Sequence, residues 1–219
     1  MGSSPAFLDP VVLPLVQGPR ILDVGCGHGK WGYLSMTNYW ETHDAPADGA
    51  PETVGMDAFL PNVRMAERSG GYQSVVHGFF PPLPFADQSF DSVLLLEIVE
   101  HLEERKALDL IQEAKRVARC RVLLSTPNLP TLRPGHQTLT GFNDLEAHVS
   151  HLSRKHLRRL GFRLYGAGLR RGPRDWRRVL YRLNLLRAYD ERFRVGLWNI
   201  SYWFPLLAEN VVGLWVRRP

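Results

Sequence analysis

Short apolar runs alternate with longer mixed segments along most of this chain of 219 residues. Apolar runs of four to eight residues are typical of buried strands, whereas apolar positions three and four residues apart are typical of helices. Strands are predicted over residues 20–24, 53–56, 73–76, 92–96, 122–125, 162–167 and 211–216, and helices over residues 29–40, 62–68, 102–118, 154–160 and 173–189. This alternation predicts the α/β class, with a single domain over residues 1–219.

The last third of the chain differs from the rest in charge. Residues 1–152 hold 11 Lys and Arg against 18 Asp and Glu, whereas residues 153–219 hold 16 against 4. The basic helix predicted over residues 173–189 is suited to contact a membrane surface, a phosphate or RNA, or is simply a solvated face. Residues 195–216 approach the length of a membrane-spanning helix, but a proline, a glutamate and two asparagines interrupt them, so no span is expected.

The chain has two cysteines, Cys26 and Cys120, and neither belongs to a CxxC pair. A metal site made of cysteines alone is therefore excluded, and reduced thiols in a cytoplasmic protein are the simplest interpretation. The first 18 residues have no basic region, and Asp9 and Pro14 interrupt their apolar stretch. We therefore do not expect a signal peptide.

The segment with the clearest chemistry is residues 21–32, ILDVGCGHGKWG. An apolar strand ends there in Asp23, and three alternate glycines follow, which allow positive φ and a close approach of a ligand to the backbone. A dinucleotide site uses a similar turn, and the GxGxxG pattern that it needs begins at Gly27. A carboxylate just before the turn would repel a pyrophosphate, however, and suits a cationic ligand.

Asp23-Val-Gly25-Cys-Gly27-His-Gly29 resembles the first motif of the class I S-adenosylmethionine (SAM)-dependent methyltransferases, a strand followed by (D/E)xGxGxG. LPFADQSFDSVLLLEIVEHL at residues 83–102 and STPN at residues 125–128 are similar to later motifs of that family, so the resemblance covers about residues 18–165. It implies a Rossmann-like sheet of seven mostly parallel strands with helices on both faces. The last strand should be antiparallel at or near one edge, and SAM should lie over the carboxyl ends of the first two strands.

The resemblance also implies which residues bind SAM, within a core over residues 18–128. In the family the glycine turn packs against the methionine part of SAM, and the acid that ends the second strand, here Asp57, bonds both ribose hydroxyls. Relatives often have Gly-Asp after the third strand where this chain has Gly78-Phe79-Phe80, so we expect a phenylalanine to stack on the adenine. The implied cofactor-binding residues are Asp23, Gly25, Gly27, Gly29, Asp57, Ala58, Phe79, Phe80 and Glu97.

Glu97, Glu100 and His101 form an ExxEH motif, and His148 follows in a later loop. If the motif is helical, its three residues share one face. It resembles the metal-dependent 2′-O-methyltransferases of small-RNA 3′ ends, in which His148 would be the fourth ligand. Many small-molecule methyltransferases share ExxEH without a metal, and the RNA enzymes have DHxFEWT where this chain has AHVSHLS, so we expect no metal. A histidine near the methyl group would then be the general base for a hydroxyl acceptor, His148 before His101.

The acceptor side is where the resemblance is weakest. An acceptor-side loop is expected over residues 129–152, and a lid that forms one wall of the pocket is expected over residues 170–207. About 20 residues precede the first strand, which we expect to be too few for a helical cover. The favoured function is methyl transfer from SAM to an oxygen of a small molecule. The alternatives are methylation of an RNA terminus and a SAM-binding interaction module without catalysis.

Overall fold

The computed structural model describes residues 4–42, 51–169 and 201–218. Short 3-10 turns join some of the regular elements. The strands in this part of the chain are β1 (Arg20–Val24), β2 (Glu52–Asp57), β3 (Ser74–His77), β4 (Phe90–Leu96), β5 (Ala118–Pro127), β6 (His136–Thr138), β7 (Gly141–Asn143), β8 (Arg163–Leu169) and β9 (Ala208–Val216). The α-helices that lie entirely within the described ranges are α1 (Asp9–Val12), α2 (Lys30–Thr42), α3 (Leu60–Arg68), α4 (Glu104–Val117) and α5 (Arg154–Arg159).

Seven of these strands form one sheet in the order β3-β2-β1-β4-β5-β9-β8. β3, β2, β1, β4 and β5 pair in parallel, whereas β9 runs antiparallel between β5 and β8. The predicted seven-stranded, mostly parallel sheet is therefore confirmed. Its antiparallel last strand lies next to the edge strand β8.

Helices cover both faces of the sheet. On one face, Ile111 of α4 and Leu157 of α5 pack in a cluster with Leu22 of β1. On the other face, Trp31 of α2 packs in a cluster with Ile21. Successive side chains of a strand point to opposite faces, so Asp23 shares the α2 face with Ile21.

The N-terminal segment forms a short helical cover, contrary to the expectation from its length. α1 lies between 3-10 turns at Ala6–Leu8 and Leu13–Leu15. Leu8 and Val12 are completely buried in the α2-side cluster. A salt bridge of 2.6 Å between Asp9 and Lys30 fixes the segment to α2. Burial of a few apolar side chains is enough to hold so short a segment in place.

The structure adds detail around the ExxEH motif and the acceptor-side loop. α4 begins at Glu104, and Val99–His101 forms a separate 3-10 turn, so Glu97, Glu100 and His101 do not share one α-helix. The acceptor-side loop contains the hairpin of β6 and β7. The basic helix predicted over residues 173–189 lies outside the described residues, as does the lid up to residue 200. Within the described ranges, no helix has the length and apolarity needed to cross a membrane.

Candidate active site

A cavity of about 1080 Å³ opens at the carboxyl ends of the central strands. Residues that follow β1, β2 and β4 form one side of it, and residues from the acceptor-side loop form another. The start of β9 and the N-terminal segment also contribute to the wall. Ligands of open α/β sheets bind at this edge, because loops and helix N-termini converge there.

The glycine turn after β1 lies against this cavity. Gly25 and Gly27 line it, and both have positive φ, 76° and 53°. The Gly25 N–H donates to the Met56 carbonyl at 2.7 Å, which ties the turn to β2. Gly29, with φ of 95°, does not line the cavity, since it packs on Ser69. The turn therefore presents bare backbone to any ligand in the cavity.

Asp57 ends β2 and lines the cavity beside Ala58. Its carboxylate is 7% exposed and accepts from the Gly27 N–H at 2.9 Å and from the Phe59 N–H at 2.8 Å. Burial raises the pKa of Asp57, and these two backbone hydrogen bonds oppose that rise. One carboxylate thus connects the second strand to the glycine turn and still faces the cavity.

Asp23 does not reach the cavity, although the resemblance implies that it contacts SAM. Its side chain is 1% exposed on the α2 face and accepts a hydrogen bond of 2.6 Å from the Tyr72 hydroxyl. Tyr72 in turn accepts from the Gly32 N–H at 3.1 Å. Burial raises the pKa of Asp23 to about 7, against the lowering effect of the Tyr72 hydrogen bond. Strand alternation aims this carboxylate beneath the turn, away from the cavity.

Phe79 and Phe80 both line the cavity after β3, but their exposure differs. Phe79 is 72% exposed, whereas Phe80 is 9% exposed and belongs to the core. Two aromatic faces are thus available at this end of the cavity, one of them fixed by packing. Aromatic faces of this kind suit a planar base.

Glu97 follows β4 in a left-handed backbone conformation, with φ of 56°. Its carboxylate lines the cavity and accepts from the Ser125 hydroxyl and from the Asn210 amide, each at 2.7 Å. Burial raises the pKa of Glu97, and these two hydrogen bonds lower it. A non-glycine residue at positive φ is strained and is held only by its surroundings, here the end of β5 and the start of β9.

Glu100 lies deeper in the same wall and is 3% exposed. Its Oε2 accepts from the Thr126 hydroxyl at 3.2 Å, whereas its Oε1 is buried with no hydrogen-bond partner among the described residues. Burial, followed by the nearby charge of Glu97, raises the pKa of Glu100 well above its usual range. A buried carboxylate oxygen without a hydrogen-bond partner is unfavourable in free energy, and binding a ligand or a proton would relieve that cost.

His101 and His148 meet beside Glu100, and both line the cavity. Their rings are perpendicular, with centroids 4.8 Å apart. His101 Nδ1 donates to the Ala147 carbonyl at 3.1 Å, and His148 Nδ1 lies 2.9 Å from the Thr131 hydroxyl. Burial lowers the pKa of each imidazole to about 4. Glu100, His101 and His148 each offer one potential ligand atom, and these three atoms lie within 4.8 Å of one another. Such a group could hold a metal ion.

Several lining residues were missed by the sequence analysis. Ser4 and Pro5 reach the cavity because Lys30 and Trp31 hold them: Lys30 Nζ donates to the Ser4 carbonyl at 3.0 Å, and Trp31 Nε1 donates to the Ser4 hydroxyl at 2.7 Å. Arg133 also lines the cavity, and an isolated antiparallel bridge between its backbone and that of His148 holds it there. The local sequence around these lining residues does not predict their placement, because the placement depends on contacts between segments far apart in the chain.

The two predicted acceptor-side segments differ in where the structure places them. Residues 129–152 line the cavity at several points, among them Leu129, Leu145 and Glu146. Of the predicted lid, residues 201–207 are described, and none of them lines the cavity. The residues immediately after them, Ala208–Asn210, do line it.

Comparisons with known proteins agree with this arrangement. A sequence profile described as "Methyltransferase domain" matches residues 22–124. The chain is 30% identical over 162 residues to a Mycolicibacterium smegmatis protein named "Probable S-adenosylmethionine-dependent methyltransferase", a match covering 69% of this chain and 58% of the relative. It is 28% identical over 135 residues to an O-methyltransferase of Aspergillus nomiae, covering 61% of this chain and 57% of the relative. The chain thus spans less than two thirds of either relative.

The fold is shared with solved structures over nearly the whole chain. The crystal structure of a SAM-dependent methyltransferase from Archaeoglobus fulgidus matches with a TM-score of 0.55 and 18% identity, over 97% of this chain and 92% of that chain. Identity at this level supports the fold alone. The ordered motifs, the matched profile and the Mycolicibacterium relative identify residues 22–124 as a methyltransferase domain similar to those of the class I SAM-dependent methyltransferases.

Proposed function

We propose that this protein binds SAM and transfers its methyl group to an oxygen of a small-molecule acceptor. The observation that carries the proposal is one continuous cavity that joins the glycine turn and Asp57 to the histidines at positions 101 and 148. Cofactor and acceptor must meet in one space for a direct methyl transfer. The names of the Mycolicibacterium and Aspergillus relatives support the cofactor and the transfer to oxygen, respectively.

SAM in this proposal lies over the carboxyl ends of β1 and β2. The Asp57 carboxylate accepts hydrogen bonds from the ribose hydroxyls, and the bare backbone at Gly25 and Gly27 lets the methionine part approach closely. Phe79 and Phe80 flank the adenine. Asp23 acts without touching SAM, because its hydrogen bond to Tyr72 supports the turn from below.

The acceptor lies at the histidine end of the cavity. Its oxygen attacks the methyl carbon in line with the sulfur, so the C–O bond forms as the C–S bond breaks and the electron pair returns to sulfur, giving S-adenosylhomocysteine. The hydroxyl proton becomes strongly acidic as the C–O bond forms, and in this proposal Nε2 of His148 or His101 accepts it. The His101 lone pair is available there because its Nδ1 hydrogen is held by the Ala147 carbonyl.

Calorimetry with the Asp57→Ala variant tests the cofactor end. Each charge-assisted hydrogen bond contributes about 1.5–3 kcal/mol, so we expect the affinity for SAM to fall at least about tenfold. Asp109→Ala, which removes an exposed carboxylate on α4, should bind SAM as the unaltered protein does. Equal affinities for all three proteins would show that Asp57 is not the ribose ligand.

A methyl-transfer assay tests the reaction itself. The protein is incubated with methyl-labelled SAM and a panel of phenols, aliphatic alcohols and an RNA oligonucleotide with free terminal hydroxyls. We expect label in an alcohol or phenol as a methyl ether. Label only in RNA would favour the RNA alternative, and SAM binding without transfer to any acceptor would contradict the proposed function.

A further inference from the structure

Glu100, His101 and His148 form a compact group of potential metal ligands, called here the Glu–His–His cluster. A carboxylate oxygen and two imidazole nitrogens lie within 4.8 Å of one another at the cavity wall. Bonds of about 2.0–2.2 Å to one ion place the ligand atoms about 3–4 Å apart. Small side-chain rotations therefore suffice to bring all three atoms onto an ion.

The second nitrogen of each imidazole is already held as it is in metal sites. His101 Nδ1 donates to the Ala147 carbonyl, and His148 Nδ1 lies at hydrogen-bond distance from the Thr131 hydroxyl. Metal-bound histidines use their other ring nitrogen in this way, which fixes the ring orientation. Nε2 is the ring nitrogen that each histidine keeps for a ligand.

Glu100 supplies a second, independent observation that points to a ligand at this place. Glu100 is only 3% exposed, and its Oε1 has no hydrogen-bond partner among the described residues. Glu97, whose two oxygens accept from Ser125 and Asn210, adds a second, half-buried carboxylate nearby. The exposed Arg133 is the cation that faces these groups, and it forms no ion pair in the described part of the chain. A divalent cation would offset the charge of these two carboxylates more completely than one exposed guanidinium does.

We propose that the Glu–His–His cluster binds one divalent transition-metal ion, and that the acceptor hydroxyl binds at an open position of that ion. Two imidazoles and one carboxylate are ligands that suit Zn²⁺, Mn²⁺, Fe²⁺ or Co²⁺ better than Mg²⁺ or Ca²⁺. With both Nε2 lone pairs bound to the ion, neither histidine is the base. The bound hydroxyl then loses its proton to water, and more easily than a free hydroxyl does, because the ion stabilises the oxygen anion. The ion site stands on the geometry alone, whereas the placement of the acceptor rests on the proposed function. This proposal departs from the expectation of no metal that the sequence comparison favoured.

Metal titration of the full chain tests the ion site directly. The protein is dialysed against EDTA and then against buffer, and is titrated with ZnCl₂ and MnCl₂ in a calorimeter, while CoCl₂ reports imidazole ligation through its visible absorption. We expect one ion per chain. His148→Ala and Glu100→Gln should weaken binding by at least about 10- to 100-fold. Matched controls, His151→Ala and Glu103→Gln, change the same residue types outside the cluster and should bind as the unaltered protein does.

The outcomes separate the ion site from the proposed function. The ion site is overturned if no stoichiometric binding is found, or if His148→Ala binds the ion as tightly as the controls do. Thermal unfolding in EDTA establishes whether each variant is folded. If Glu100→Gln is unfolded, His148→Ala alone decides the result. Ion binding with methyl transfer that falls on EDTA treatment and returns with added metal supports both parts. Ion binding with transfer unaffected by EDTA overturns the placement of the acceptor on the ion. Ion binding without any transfer from SAM leaves the ion site standing and defeats the proposed function.

Discussion

Three carboxylates in the cavity wall or beneath it are partly or fully buried, and they differ in the hydrogen bonds that stabilise their negative charge. Asp57 is compensated by backbone N–H groups, Glu97 by a hydroxyl and an amide, and Asp23 by one tyrosine hydroxyl. Asp23 has the least compensation of these three, and Asp57 and the Cys26 thiol lie close enough to interact with its charge. Its burial therefore favours the protonated form.

Asp23→Asn should remove a pH dependence of stability. The pKa of Asp23 rises from 3.8 to about 7 on folding, so between about pH 4 and pH 7 the folded protein holds a proton that the unfolded chain has released. Stability then falls as the pH rises through that window, by a loss on the order of 4 kcal/mol. The asparagine keeps an acceptor for Tyr72 and cannot ionise, so its advantage over the unaltered protein should grow with pH in urea unfolding.

The control for this prediction is Asp109→Asn, an exposed aspartate of α4. Its stability should follow that of the unaltered protein at every pH. A difference between Asp23→Asn and the unaltered protein that stays constant from pH 4 to pH 7 would contradict the assignment.

At the scale of elements, the turn from β1 to α2 is built by close backbone contacts. The turn is tied to β2 by the bond from Gly25 N–H to Met56 and packs on the end of α3 through Gly29. A Cβ on Gly29 would lie 2.5 Å from Ser69 Oγ and 2.9 Å from Ser69 Cβ. Glycine is needed there for space as well as for φ.

Gly29→Ala should therefore destabilise the protein more than Gly70→Ala does. Both residues have positive φ, 95° and 72°, but a Cβ on Gly70 meets nothing within 4 Å. The left-handed conformation costs each alanine about 1–2 kcal/mol, and the contact with Ser69 adds about 1–3 kcal/mol for Gly29→Ala alone. Denaturant unfolding measures both. Equal losses of unfolding free energy in the two variants would show that the end of α3 shifts to accommodate the extra methyl group.

At the scale of the whole molecule, Asn128 connects three parts of the fold. Its amide donates to the carbonyls of Pro205 and Ala208, each at 2.8 Å, and its oxygen accepts from Arg154 at 2.6 Å. The end of β5 is thereby joined to the segment leading into β9 and to the start of α5. The same segment carries Asn210, which holds Glu97 in the cavity.

Asn128→Ala should lower the free energy of unfolding by about 2–4 kcal/mol, because two carbonyls and a guanidinium lose their partner in a site where Asn128 is 6% exposed. Gln112→Ala removes an exposed amide on α4 and should change stability by no more than about 0.5 kcal/mol. Urea unfolding of the two variants compares them. A loss below about 1 kcal/mol for Asn128→Ala would mean that water replaces its hydrogen bonds.

Local sequence was sufficient to predict the parts of the fold that depend on neighbours in the chain. Apolar runs located the seven strands of the sheet, and the glycines after Asp23 located the turn, because burial and φ preference act on short segments. Of the implied cofactor residues, the structure places Gly25, Gly27, Asp57, Ala58, Phe79, Phe80 and Glu97 along the cavity. Their contacts with SAM remain predictions.

Tertiary structure alone decided what depends on segments far apart. The distant Tyr72 holds the Asp23 carboxylate beneath the turn, and the N-terminal segment reaches the cavity through Lys30 and Trp31. The ExxEH spacing suggested one helix face, but a left-handed Glu97 and a 3-10 turn separate its members. Glu100 and His101 meet His148 because the later loop folds back on that turn, where the Val149 N–H donates to the Glu100 carbonyl at 2.9 Å. Such a contact has no local signature, since its free energy comes from burial shared between the two segments.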